Sequence, residues 1–192
     1  PSLQRLILVD CGDLWLTGGH LHLSRLSTMV LEGISGTAHT NFARAPALEH
    51  LAVLAVEGLA ETGFSSLSRL FAISVACKSE ASLSVVNSVL GAAPTSVRVL
   101  QEYTRGKPAM PSLGALTQLT CIRSARLSII PQLAPLTKLQ DLELHRLAAT
   151  DLAAEHLDVL AQLPALTRLR FSKALPDGDA RKWRLKVRYP PI

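Results

Sequence analysis

With 192 residues, 48% hydrophobic but only 4% aromatic, the chain is long enough to bury a substantial core and must build it almost wholly from aliphatic side chains. Twenty basic against fifteen acidic residues give a net charge of +5, no apolar run reaches the ~18–20 residues of a membrane-spanning helix, and the first residues lack a secretory layout. The three cysteines, Cys11, Cys77 and Cys121, are far apart and show neither finger nor C-x-x-C spacing, which argues against structural zinc and points to a reducing intracellular compartment, cytoplasmic or nuclear.

Taken in chain order, the first apolar alternation is Leu6/Leu8, reached from Pro1 without a polar cap. That flank needs cover from upstream sequence or from another element. Residues 12–22 form a Gly-containing connection with Trp15 as packing anchor, and Met29/Leu31 begins the next alternation, followed by turn glycines Gly33 and Gly36. A short polar connection over 38–46, with room for one turn of helix, leads to the pairs Leu54/Val56 and Ile73/Val75. Ser79 is placed to cap a helix over 79–90 with Leu83, Val86 and Leu90 on one side, ended by Gly91 and Pro94. Val97/Val99 comes next, and residues 103–111, with Gly106, Pro108 and Pro111, read as a loop on the rim. The pairs Ile122/Ser124 and Leu142/Leu144 follow, then a helix capped by Thr150 with Asp151 in its first turn, then Leu169/Phe171.

The leucines set the organisation. Leu136, Leu139, Leu142, Leu144 and Leu147 fall three, three, two and three apart, and Leu163, Leu166, Leu169 and Phe171 return to the same beat. Neither a helix period of 3.6 nor a strand period of 2 produces this. The first residues of the eight pairs are separated by 23, 25, 19, 24, 25, 20 and 27 residues. The pattern resembles the leucine-rich repeat, L-x-x-L-x-L-x-x-N/C-x-L. Residues 139–166, with Thr150-Asp151, look most like the cysteine-containing subtype of F-box proteins, although Leu147 stands where that subtype has Cys.

The resemblance implies an α/β solenoid of about eight units over residues 1–175, a curved parallel sheet inside and helices and loops outside, with residues 176–192 as a capping strand or basic tail. One such unit cannot offset the ordering of its own ~20 residues, so neighbours must share faces. The tail alternates Trp183, Leu185, Val187 and Tyr189 with Arg184, Lys186 and Arg188. It reads as a strand closing the last unit, or as a surface in which Arg181, Lys182, Arg184, Lys186 and Arg188 meet RNA or an acidic protein.

Charge is divided unequally. Residues 1–96 carry five bases and seven acids, net −2, and residues 97–192 carry fifteen and eight, net +7. Residues between and just after the inward leucines are expected to line the concave face. That places Glu32, Glu57, Arg98, Arg123, Glu143, His145 and Arg170 there, with Arg126, Arg146 and Arg168 beside them. Arginine suits carboxylate or phosphate contacts.

Motifs for chemistry are lacking: there is no P-loop, G-x-G-x-x-G, G-x-S-x-G or H-E-x-x-H. His20 and His22, with Asp10, Cys11 and Asp13 nearby, do not complete a ligand set. The expectation is a non-catalytic interaction module or scaffold without cofactor or metal, binding a protein partner on its concave face. The subtype resemblance implies substrate recognition for a ubiquitin ligase. The alternatives are a structural subunit of a ribonucleoprotein or cytoskeletal assembly, its basic half against RNA or an acidic neighbour, and a nonspecific nucleic-acid binder.

Overall fold

The computed structural model describes residues 3–16, 23–103, 112–145 and 149–172. In chain order its strands are β1 (Arg5–Val9), β2 (Leu14–Leu16), β3 (Thr28–Glu32), β4 (Thr37–Asn41), β5 (His50–Leu54), β6 (Gly58–Thr62), β7 (Ala72–Ala76), β8 (Val99–Glu102), β9 (Cys121–Ser124), β10 (Asp141–His145) and β11 (Arg168–Ser172). Helix α1 spans Glu80–Gly91 and α2 spans Ala154–Ala161. Eight strands form one parallel sheet in the order β1-β3-β5-β7-β8-β9-β10-β11, and β2-β4-β6 form a second parallel sheet. The fold is α/β, with every strand lying beside the next one of its own sheet.

The strands of the large sheet after β1 are entered the same way. Two small or leucine-like residues three apart close a tight turn, as in Leu26 N–H to Leu23 O (2.9 Å), Leu70 to Leu67 (3.0 Å), Leu119 to Leu116 (3.1 Å) and Leu139 to Leu136 (3.0 Å). The strand's first inward residue follows three positions later. One carbonyl per strand then accepts two successive N–H groups from the next: Gln4, Ser27, Glu49, Phe71, Arg98, Thr120 and Gln140 all do so, at 2.8–3.2 Å. The three-step approach of the leucines is thus a turn that buries both of its ends, and the L-x-L that follows is the strand.

The register aligns the inward column Leu6, Met29, Leu51, Ile73, Leu100, Ile122, Leu142 and Leu169. Two expected pairs are therefore corrected. In His50–Val56 both Leu51/Val53 and Leu54/Val56 fit an L-x-L, and the turn Ala45–Leu48 selects the first. Val97 likewise ends the turn begun at Pro94, so Leu100 and Glu102 face the core where Val97 and Val99 were expected.

Ser79 caps α1 as expected: its Oγ accepts from Ser82 N–H (3.2 Å), Ser82 Oγ accepts from Ser79 N–H (2.9 Å), and Leu83, Val86, Val89 and Leu90 are buried. Thr150 does not cap the second helix. It lies in a 3-10 turn, Ala149–Asp151, and α2 starts at Ala154, where His156 Nδ1 accepts from Ala153 N–H (3.1 Å). Residues 14–16 and 37–41 are more regular than expected, contributing β2 and β4, while the one helical turn expected within 38–46 is the 3-10 turn Phe42–Arg44. The rim loop beyond Tyr103 and the segment 176–192 lie outside the described residues.

Asp10, Gly33 and Ala55, each just after its strand, have φ of 52°, 64° and 54°. Their N–H groups donate to Glu32, Leu54 and Ala76 carbonyls at 2.9, 2.9 and 2.7 Å while turning the chain toward the second sheet. Only glycine adopts this conformation without strain. Gly33→Ala is expected to lower stability by about 1–2 kcal/mol from the left-handed backbone alone. Its new Cβ would also stand 2.3 Å from Asp10 Oδ1, so that side chain must move aside. A urea titration checks this, with Ala55→Gly as a neutral or mildly stabilising control.

Candidate functional site

Because strands alternate, the face of the large sheet turned away from the core carries three columns. The middle one reads Ile7, Val30, Ala52, Ser74, Gln101, Arg123, Glu143 and Arg170. One flanking column includes Arg5, His50, Val99, Cys121, Asp141 and Arg168. On the other side Glu32 pairs in register with Val9 and Leu54, and His145 with Ser172. The middle column is consequently aliphatic from β1 to β5 and polar from β7 to β11, with Arg5, His50 and Glu32 flanking its aliphatic part.

In the polar half the side chains are tied together across strands. Gln101 Oε1 accepts from Ser74 Oγ (3.1 Å) and from the Tyr103 hydroxyl (2.8 Å). Arg123 Nε lies 3.3 Å from Glu143 Oε2, and His145 Nδ1 lies 3.9 Å from Glu143 Oε1. Asp141 Oδ2 accepts from Arg168 Nη1 (3.2 Å) and from Arg170 Nη2 (2.6 Å). Burial pushes the Tyr103 phenol and the Cys121 thiol up, and the hydrogen bond to Asp141 holds Arg170 more firmly charged. This surface is a cross-strand lattice of polar contacts. Among the described residues no group of three His, Cys, Asp or Glu suits a metal; His20 and His22 lie outside the described residues.

The lattice has one consequence for pH. Burial lowers the His145 imidazole below its ordinary value of about 6.5, with Glu143 opposing and Arg123 assisting, and burial lowers His50 against the pull of Glu49. A histidine held neutral binds fewer protons folded than unfolded, so its contribution is complete above the unfolded pKa and is lost as pH falls through 6.5. The urea midpoint is expected to drop from about pH 7 to about pH 5, and His145→Gln should flatten part of that slope. An identical slope in the variant would contradict it.

The structure brings Arg123, Glu143, His145, Arg168 and Arg170 onto one continuous patch, with Glu32 on the same face at its far end. It removes two expected members. Glu57 follows β5 in the turn to β6, and Leu54 takes its column position. Arg98 precedes β8, its guanidinium donating to Val97 O (3.2 Å) and Thr95 O of its own turn, and Gln101 stands where it was expected. Both displacements come from the three-residue register error. Arg126 lies just past β9, before the 3-10 turn Leu127–Gln132. Arg146, Arg181, Lys182, Arg184, Lys186 and Arg188 lie outside the described residues. Sequence reasoning missed Gln101, Tyr103, Asp141 and the inward Glu102; the turn at Pro94–Val97 is the signal that places three of them.

Trp15 also departs from expectation. Instead of anchoring a connection it is 66% exposed on β2, its ring stacked on His39 of β4 at 3.7 Å and 8°.

No family model matches the sequence, and no curated protein matches it. Among solved structures the chain is similar to an internalin from Listeria monocytogenes at 14% identity and a TM-score of 0.26, over 79% of this chain and 56% of that one. The chain thus spans little more than half of that protein's length. Among the described residues, no helix is long and apolar enough to cross a membrane.

Proposed function

We propose that the chain is a leucine-rich-repeat solenoid of about eight units that acts without catalysis, binding a protein partner on the strand-lined face opposite its core. The observation that supports this reading most is the division of that face's middle column, across eight aligned strands, into an aliphatic part (Ile7, Val30, Ala52) and a polar part (Ser74 to Arg170). Such a surface is extended, stiff and patterned, which suits recognition of an elongated partner better than enclosure of a small substrate. A role in substrate recognition for a ubiquitin ligase rests on the subtype resemblance at Thr150-Asp151 alone. A place in a larger assembly fits the same face equally well, and the basic excess of residues 97–192 supports an acidic neighbour.

The test uses the whole chain as bait in native extract, split into nuclease-treated and untreated halves. Ala52→Lys sets a long cation on the outer face without touching the core, and Ser88→Lys does the same on the exposed side of α1. A retained protein set that survives nuclease, is lost about tenfold with Ala52→Lys and is kept with Ser88→Lys meets the proposal. Equal retention by both variants, or loss on nuclease treatment, contradicts it.

A further inference from the structure

We propose that the β10–β11 end of the outer face seats an acidic, extended segment of a protein partner, whose carboxylates dock on Arg168 and Arg170. This rests on the protein-binding reading above and adds the partner's chemistry. Three arginines, Arg123, Arg168 and Arg170, share strands β9 to β11 with two carboxylates, Asp141 and Glu143. Arg123 and Glu143 are partnered with each other. Arg168 and Arg170 converge on a single oxygen, Asp141 Oδ2, so this corner carries two cations against one anion.

Each guanidinium has five N–H donors in a planar fork. Among the described residues each of these two spends one on Asp141, while the side chains remain 62% and 47% exposed. Asp141 therefore orients the pair without saturating it, and a second carboxylate meets donors already held in place. The two arginines are alternate residues of one strand, so their Cα atoms are about 6.6 Å apart on the same face. An extended peptide presents its own alternate side chains at that interval, and an acid-x-acid pattern matches it. The field continues in sequence: residues 173–192 hold six bases and two acids.

RNA is the weaker occupant. Asp141 and Glu143 sit within the patch and would face a phosphate chain. Tyr103, the ring nearest the patch on this face, is half-buried against Gln101, and Trp15 belongs to the other sheet, so neither gives a base an open platform there.

The experiment is fluorescence anisotropy with the whole chain and a labelled twelve-residue peptide alternating Glu and Ser, its Gln-Ser counterpart, and a twelve-nucleotide oligouridine. The proteins are wild type, Arg168→Gln/Arg170→Gln, and Arg5→Gln as a control at the opposite end of the same face. The expected result is binding of the Glu peptide, weakening of about tenfold or more in the double variant, corresponding to about 1.4 kcal/mol, no change with Arg5→Gln, and no comparable binding of the Gln peptide. Unchanged affinity in the double variant, absent binding of the Glu peptide, equal binding of the Gln peptide, or oligouridine bound more tightly with the same arginine dependence each overturns the proposal. Circular dichroism of the double variant confirms that it is folded. If Ala52→Lys abolishes partner capture while the peptide results are negative, this inference falls and the protein-binding reading stands.

Discussion

Phe64→Ala is expected to lower the stability of the chain by about 3–5 kcal/mol, one of the largest single losses available to it. The chain has four phenylalanines, and two of them meet: Phe42 and Phe64 pack edge to face at 5.2 Å and 68°. Both begin 3-10 turns, one after β4 and one after β6, and both are fully buried. These turns come from successive strand units, so the pair ties one unit to the next where an otherwise aliphatic core has only leucine-sized contacts. Close approach at this seam is also why Gly63 stands before Phe64: a Cβ there would lie 2.7 Å from Ala43. Truncating the ring leaves a void that two tight turns cannot close. A guanidinium titration reads the loss, and Phe64→Leu should recover most of it. A double-mutant cycle with Phe42→Ala should return a coupling of about 0.5–1.5 kcal/mol. A loss under ~1 kcal/mol would mean that the seam does not bear on stability.

The second large effect concerns a carboxylate in the core. The inward column Leu8, Leu31, Val53 and Val75 is continued by Glu102 and Ser124 before returning to Leu144 and Phe171. Glu102 has no solvent exposure and accepts a hydrogen bond from Ser124 Oγ at 2.8 Å, while that hydroxyl accepts from Arg126 N–H at 3.2 Å. Ser124→Ala removes a donor from a buried carboxylate and is expected to cost about 3 kcal/mol, far more than the few atoms it deletes. Denaturant unfolding checks it, and the slope of the transition should not change. A loss below ~0.5 kcal/mol would show that the carboxylate is satisfied without the serine.

The strands of the large sheet were legible because each L-x-L follows a leucine turn, and stacking neighbours turns that local beat into a column. Six of the eight expected pairs coincide with the observed inward residues. The two that do not share a cause: where several apolar residues crowd together, as in Leu51–Val56, alternation alone allows two registers three apart. The preceding turn, Ala45–Leu48 or Pro94–Val97, decides between them. The misplaced register puts Arg98 and Glu57 on the outer face at the positions that Gln101 and Leu54 hold, and gives no sign of the inward Glu102. The second sheet was hidden for a different reason. Its strands are short and mix small and polar residues, as in Thr37–Asn41, so their pairing depends on the neighbour and leaves little local alternation to see. The ion-pair lattice shows the same limit. The arginine excess was visible in the composition, but its partial cancellation by Asp141 and Glu143 appears only once β9, β10 and β11 are laid side by side.

The outer face as the binding surface is tested most directly by site-specific photo-cross-linking. A benzophenone amino acid is placed at Ala52 or Ala76 on the outer face, or at Ser88 on α1, and the whole chain is irradiated in nuclease-treated native extract. The account predicts one discrete set of protein adducts from Ala52 and Ala76, absent at Ser88. Adducts from Ser88 that are absent from Ala52 and Ala76, or equal labelling at all three positions, would contradict it.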